Sequence, residues 1–357
     1  MNSPRETGID LLRIFCMFLI VMGHVLGQGG VLWYVTNFSA SYYVVWFLNT
    51  FGMCAVNCFA LISGYVGVNR DYKIKKLFSL WLTVVFYGLI CFVTFNVLKR
   101  DSFNLDMFRK LVMPFTQGKY WYISAYAGMF FFIPILNAAI RNMSQKELFG
   151  CLLGIFGIFT IIPTIYYNDT FLINHGFSTL WLCIMYLTGG YIKRFEINKK
   201  VGKIAAISIY IGCSLVTWLG KTLSETMSMR MTGNIRFGYL FIQYSSPFVV
   251  LAAIGLLLFF ANINIKNNLV NKCIIAVSKT TLSVYLIHVE PYIFYQLLTG
   301  VTIGLAYKAV PDMLIKVFAL SIAIYVLCTV ADFIRMGIFS IVGKCIKFMF
   351  GKKKSAP

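Results

Sequence analysis

RIFCMFLIVMGH, residues 13–24, is the stretch that decides the fold. Ten uncharged, mostly apolar residues separate its arginine from its histidine, and the apolar run extends over about 9–28. A helix rises about 1.5 Å per residue, so a run of this length can cross the hydrocarbon core of a bilayer. The segment therefore predicts a membrane-spanning helix with ionisable groups near both of its ends.

Composition extends this prediction to the whole chain. Of the 357 residues, 59% are hydrophobic and 12% are charged, whereas a soluble domain is about 25% charged. The apolar residues form ten runs, near 9–28, 42–68, 76–98, 120–141, 147–168, 177–193, 203–220, 237–261, 273–298 and 314–343. They predict one all-α domain over 1–357, a bundle of about ten transmembrane helices with a short basic tail at about 344–357.

Two segments leave the number of spans open. Run 42–68 is longer than one crossing requires, which predicts a tilted or broken helix. Segment 99–119 contains NLDMFRKLVMPF, which could form an eleventh helix along the membrane interface.

Loop charges predict that both termini are cytoplasmic. With that orientation the cytoplasmic segments hold roughly twice as many lysines and arginines as the outer segments, which is the bias that orients membrane helices. The outer loop 29–41 has no charged residue, although 99–119 is basic and weakens the contrast. The net charge of +20 follows from this loop bias, and no basic, aromatic-interleaved module indicates nucleic-acid binding.

Metal and cofactor sites are not indicated. The ten cysteines lie mostly inside hydrophobic runs without a C-x-x-C pair, which is typical of small packing residues. Of the three histidines, His24 and His288 lie in predicted spans, and His175 lies in a predicted outer loop. Ionisable groups inside spans are functional candidates.

One face of the first helix carries an arginine and a histidine. His24 follows Arg13 by eleven positions, which places both on one face, about 16 Å apart along the axis. Asp10 lies three positions before Arg13 and can pair with it. We predict that His24, Arg13 and Asp10 form the catalytic set. The alternative is an interfacial ion pair and a packing histidine.

KTTLSVYLIHVEPY, in the ninth run, carries a second polar stripe. The helical spacing i, i+4, i+7, i+11 joins Thr281, Tyr285, His288 and Tyr292. Glu290 and Pro291 predict the end or a kink of this helix. We predict that Tyr285, His288 and Glu290 bind substrate, although hydrogen bonding between bundle helices would also explain the stripe.

Aromatic residues open the fourth run in GKYWYISAYAGMFFFIPIL. We predict that Trp121 and Tyr122 form a platform for a sugar ring, with an aromatic belt at the membrane interface as the alternative. Ser63, in NCFALISGYVG, is a further substrate-binding candidate beside small residues that permit close helix packing. In the last run Asp332 and Arg335 predict an internal ion pair.

These motifs resemble the acyltransferase-3 family, integral membrane acyltransferases that O-acetylate bacterial surface polysaccharides. The segments that carry the resemblance are GIDLLRIFCMFLIVMGH, CFALISGYV, YWYISAYAGMFFFIPIL and LSVYLIHV. The family's arginine and histidine correspond to Arg13 and His24 in the spacing Asp-x-x-Arg-x10-His. The resemblance covers all ten runs and implies a single-domain member of the family in the bacterial cytoplasmic membrane.

The resemblance implies transfer of an acetyl or other short acyl group from acyl-CoA to a hydroxyl of a cell-surface or lipid-linked glycan. Acetyl-CoA is then a co-substrate rather than a bound cofactor, and the other partners are the glycan and membrane lipids. Histidine suits general-base work near neutral pH, and arginine suits contact with CoA phosphates. The alternative is a transporter or flippase for a polysaccharide intermediate, but no internal repeat supports it.

Overall fold

The computed structural model describes residues 5–99, 105–166 and 168–350, and these ranges form helices and loops without a strand. Their α-helices are α1 (Thr7–Gly27), α2 (Val31–Tyr34), α3 (Ala40–Gly52), α4 (Ala55–Gly67), α5 (Lys75–Lys99), α6 (Leu105–Val112), α7 (Trp121–Asn142), α8 (Gln145–Phe156), α9 (Ile162–Tyr166), α10 (Thr179–Arg194), α11 (Ile197–Lys200), α12 (Lys203–Thr232), α13 (Pro247–Ala261), α14 (Asn268–His288), α15 (Pro291–Ile293) and α16 (Val310–Phe350). The predicted all-α class is confirmed.

Eight helical segments of the described chain are long and apolar enough to cross a membrane. They are Thr7–Gly27, Ala40–Gly67, Lys75–Asn96, Trp121–Asn142, Gln145–Tyr166, Lys203–Thr232, Asn268–His288 and Val310–Cys345. The other two predicted spans correspond to the shorter helices α10 and α13. The multi-pass helical bundle is thus confirmed, while ten crossings and the orientation of the termini stay predictions.

Proline sets two boundaries, one where the prediction is wrong and one where it is confirmed. The eighth run was expected to be helical from residue 237, but α13 begins at Pro247, a residue that favours the first turn of a helix. The ninth run was expected to end or kink at Glu290 and Pro291, and α14 ends at His288, because Pro291 disfavours helical backbone at Glu290, whose ψ is 130°. Helical structure resumes at Pro291 and continues to Leu298, the predicted end of the run.

Three further segments can be compared with their predicted helices. The predicted break in 42–68 is confirmed, since α3 ends at Gly52 and α4 begins at Ala55. α12 continues well beyond residue 220, to Thr232. The helix expected within 99–119 is α6. Residues 100–104 lie outside the described residues. The end of the predicted basic tail, 351–357, also lies outside them.

α10 is buried along most of its length, and every residue from Trp181 to Ile192 is buried. It packs against α4 and α7. Glycine makes the contact with α4 close: a Cβ atom on Gly64 would lie 1.8 Å from the carbonyl oxygen of Tyr186, and one on Gly189 would lie 1.9 Å from that of Leu61. The small residues of the second run therefore serve helix packing, as predicted.

α1 contacts α3, α4, α13, α14 and α16, so it is surrounded by the bundle. Two hydrogen-bonding contacts link it to α14. Ser278 meets Asp10 near the beginning of α1, and His288 meets His24 near its end. α1 and α14 therefore run parallel, and the two predicted polar stripes face each other.

Candidate active site

His24 and His288 form a hydrogen-bonded pair at the ends of α1 and α14. Nδ1 of His24 lies 2.9 Å from Nε2 of His288, and Nδ1 of His288 lies 2.6 Å from the carbonyl oxygen of Val284. A carbonyl oxygen only accepts, so His288 carries its proton on Nδ1 and accepts from His24 at Nε2. This hydrogen-bond network leaves Nε2 of a neutral His24 without a proton, as a base requires.

The His24 ring borders a cavity of about 620 Å³ that also reaches Arg13. Its walls come mainly from α1, α3, α4, α7 and α14 and from the segments that precede α7 and follow α14. We call its two ends the Arg13 end and the His24 end. One continuous space thus joins a fixed cation to a histidine, along the face of α1 that the sequence predicts.

Asp10 holds Arg13 in place and is itself fully buried. Its Oδ1 accepts from Arg13 at 2.7 Å and from Ser278 Oγ at 2.7 Å, and its Oδ2 accepts from Arg5 Nε at 2.5 Å. The predicted Asp10–Arg13 ion pair is therefore present. Asp10 does not line the 620 Å³ cavity, whereas 26% of the Arg13 side chain remains exposed.

Further cations surround the Arg13 end. Two smaller cavities, of about 110 and 230 Å³, both border Arg13 and Arg70. Their walls include four more basic side chains and three acidic ones, so cations are in excess. The basic residues are Arg5, Lys73, Lys76 and Lys193, and the acidic residues are Glu6, Asp10 and Asp71. The sequence shows most of the basic residues only as loop charges that orient the helices. Their convergence on Arg13 makes this end suitable for a polyanionic group.

Aromatic side chains line the cavity on the side of α7. The predicted residues Trp121, Tyr122 and Tyr285 are all in its wall. Tyr244, in the loop before α13, joins them and stacks on Trp121 with ring centroids 5.8 Å apart and an interplanar angle of 20°. Burial raises the pKa of Tyr244 to about 12, so its hydroxyl stays neutral. Flat aromatic faces of this kind pack well against the C–H faces of sugars.

Not every predicted site residue lies in this cavity. Ser63 borders the 230 Å³ cavity and another lateral pocket, and its hydroxyl donates to the Phe59 carbonyl at 2.8 Å. His288 and Glu290 stand behind the cavity wall. Glu290 is fully buried and forms an ion pair with Lys119, a wall residue, at 3.0 Å.

Two ion pairs lie away from the cavity. Asp332 and Arg335 are 2.6 Å apart and share Tyr87, so the predicted internal pair is confirmed. Lys221 and Glu225 are buried on α12, 2.6 Å apart, and sequence reasoning missed them because the span was expected to end at 220. Their i, i+4 spacing was the available signal.

Comparison with known proteins identifies the family of the chain. Residues 6–332 match the family model described as an acyltransferase domain, the acyltransferase-3 model. No curated protein and no solved structure matches the chain. The family model covers α1 and α14, which carry the histidine pair, and it reaches into α16. The chain belongs to the acyltransferase-3 family, and it is a multi-pass membrane acyltransferase.

Proposed function

We propose that the protein transfers a short acyl group, such as acetyl, from acyl-CoA to a hydroxyl of a cell-surface or lipid-linked glycan. The observation that carries this proposal is the histidine pair beside the long cavity. Nε2 of His24 is the nitrogen that its hydrogen bonds leave free, and the cavity that it borders begins at a cluster of cations. Family membership favours acyl transfer over the alternative of a transporter.

The Arg13 end suits the nucleotide portion of CoA. Arg13 and Arg70 border three adjoining cavities between them, and their guanidinium groups match phosphate geometry. The pantetheine arm is long and thin, and it would extend towards His24 through a cavity whose wall is mostly apolar. Because loop charges predict a cytoplasmic Arg13 end, the donor would enter from the cytosol, where acyl-CoA is made.

The chemistry assigned to His24 is proton transfer. Nε2 of His24 takes the proton of the acceptor hydroxyl as that oxygen attacks the thioester carbonyl carbon. The C–S bond then breaks, and the CoA thiolate receives the proton from His24. The ester bond replaces the thioester bond, so no other reactant is needed. His288 holds the His24 ring in the tautomer that this step requires.

The same nitrogen could instead accept the acyl group and pass it on to the acceptor. A brief reaction with labelled acetyl-CoA, stopped by denaturation and followed by proteolysis, separates the two routes. Label on the peptide that contains His24 indicates an acyl-histidine, and its absence at all times before product forms indicates a general base.

Transfer of label tests the proposed function. Proteoliposomes containing the protein receive radiolabelled acetyl-CoA and the surface glycan of cells that lack the gene. We expect label in the glycan, and we expect His24→Gln to lower the rate by about 10²–10⁴-fold because glutamine cannot take a proton at neutral pH. Movement of glycan across the membrane without acetyl-CoA and without label in the product would favour a transporter.

A further inference from the structure

The Lys119 ammonium faces the cavity, and the proposed acyl transfer assigns it no role. It lies in the segment before α7, and its side chain lines the same cavity as His24, beside Trp121. Arg13 is the other permanent cation in the wall, and no described Asp or Glu side chain lines the cavity. The cavity is therefore electropositive at two separate places.

The position of the Lys119 ammonium is fixed from behind. It lies 3.0 Å from Oε1 of Glu290, and the exposed fractions of the two side chains are 7% and 1%. Oε2 of Glu290 accepts from the Tyr292 backbone N–H at 2.8 Å, which holds the carboxylate. Gly88, on α5, leaves the space that the ammonium occupies, because a Cβ atom there would lie 2.7 Å from Nζ.

The ammonium retains donors for a ligand. An ammonium has three N–H groups, and within the described chain its polar partner is Glu290 alone, with the Tyr120 ring 5.5 Å away. The beginning of α7 lies next to Lys119, and Tyr120 provides no side-chain cap for its free N–H groups. The positive end of this helix dipole therefore adds to the charge of Lys119.

A buried ion pair is weak evidence for stability, because desolvation of both charges offsets their attraction. Here the carboxylate lies behind the wall and the ammonium lies in it. That arrangement is what an anion site needs: a cation oriented by a partner that the ligand does not touch. The remaining question is which substrate supplies the anion.

We infer that Lys119 binds an anionic group of the acceptor, a carboxylate or phosphate near the hydroxyl that is acylated. The inference rests on the proposed function. The phosphates of CoA are placed at the Arg13 end, and the acyl thioester that reaches His24 is neutral. An anion beside Lys119 must therefore come from the acceptor, and the acceptor glycan is acidic.

Acceptors of altered charge test this inference in proteoliposomes. The glycan from cells lacking the gene is used untreated, after reduction of its carboxylates to hydroxymethyl groups, and after removal of its phosphates by hydrogen fluoride. We expect one treatment to lower kcat/KM for the glycan by roughly 10- to 100-fold, the usual effect of a lost charged hydrogen bond. The effective treatment identifies the anion as carboxylate or phosphate.

Variants connect this preference to Lys119. Lys119→Gln leaves Glu290 buried without its partner and could impair folding, so the double variant Lys119→Gln/Glu290→Gln is measured beside it. Either variant that folds should accept the untreated and the neutralised glycan equally well, with the KM for acetyl-CoA unchanged. Lys308→Gln, which removes an exposed lysine elsewhere, is the control and should keep the preference.

Gly88→Ala provides a test that keeps the charge. The added methyl group would lie 2.6 Å from Leu111 Cδ1 and 2.7 Å from Lys119 Nζ, so both side chains must move. The KM for the acidic glycan should rise, while that for acetyl-CoA stays the same. Equal use of all three glycans by the unaltered protein would overturn the inference and leave acyl transfer standing, as would an unchanged preference in the double variant. Absence of label in every glycan would instead contradict the proposed function, and this inference with it.

Discussion

Nδ1 of His24 donates to Nε2 of His288 across 2.9 Å, and this contact joins two helices that are far apart in the chain. Both ring nitrogens of His288 are hydrogen-bonded, because Nε2 accepts from His24 and Nδ1 donates to the Val284 carbonyl. It therefore has no free nitrogen for an acceptor sugar. We therefore propose that His288 positions His24, whereas the polar stripe predicts a substrate-binding residue.

Substitution of His288 distinguishes these roles. His288→Ala removes the acceptor for the His24 N–H, so the ring can rotate or change tautomer, and we expect kcat to fall about 10²-fold. His288→Gln offers an amide oxygen to the same N–H and should restore most of the rate. Steady-state kinetics with both substrates measure this. A higher KM for the glycan with kcat unchanged would show that His288 contacts the acceptor.

Substitutions of Arg13 and of Asp10 should both weaken the binding of acetyl-CoA. Arg13→Lys keeps the charge but loses the planar group that matches phosphate, so the KM for acetyl-CoA should rise by about tenfold or more. Asp10→Asn should raise the same KM, because Asp10 orients Arg13 through a 2.7 Å hydrogen bond. Arg335→Lys changes an ion pair away from the cavity and serves as the control. Acetyl-CoA kinetics that stay unchanged in Arg13→Lys would reduce Arg13 to a structural ion pair.

The orientation of the bundle can be measured in loop 29–41. Asn37 is exposed and lies before Ser39, whose hydroxyl caps α3 and should be left intact. In a variant without accessible native cysteines, Asn37→Cys should react with a membrane-impermeant maleimide in intact cells. Reaction only after permeabilisation would place the Arg13 end on the outer side and reverse the proposed direction of acyl-CoA entry.

The part of the site that sequence predicts is the part built by one helix. The period of an α-helix places Arg13 and His24 on one face, and both side chains line the cavity, whereas Asp10 does not. The His24–His288 contact joins positions 264 apart, and only the packing of α1 against α14 brings them together. Helix spacing alone reveals each stripe but not that the two stripes meet.

The positions of the basic side chains around the cavities were the least predictable feature of the site. Lys119 and Arg70 look like ordinary loop cations in the sequence, because a count of loop charges does not show which of them turn inwards. The structure places Lys119 in the cavity wall and Arg70 beside Arg13. Proline and glycine gave clearer local signals, since Pro291 marks the end of α14 and Gly64 marks the close approach of α4 to α10.

The buried pair Lys221–Glu225 predicts a large effect on stability. Lys221 Nζ lies 2.6 Å from Glu225, 2.9 Å from the Tyr42 hydroxyl and 3.5 Å from the centre of the Trp46 ring. These contacts fasten α12 to α3. Lys221→Met removes the cation and leaves the carboxylate buried, which should lower the free energy of unfolding by about 3–5 kcal/mol.

Thermal unfolding in detergent measures this loss, with two variants for comparison. Lys316→Met breaks an exposed pair of the same i, i+4 spacing, whose side chains are 50% and 44% exposed, and should cost about 0.5 kcal/mol or less. Lys221→Met/Glu225→Met removes both buried charges and should recover part of the stability, because no unpaired carboxylate remains although the buried Tyr42 hydroxyl loses both of its partners. If Lys221→Met unfolds at the same temperature as Lys316→Met, water reaches Glu225 and the pair does not fasten the two helices.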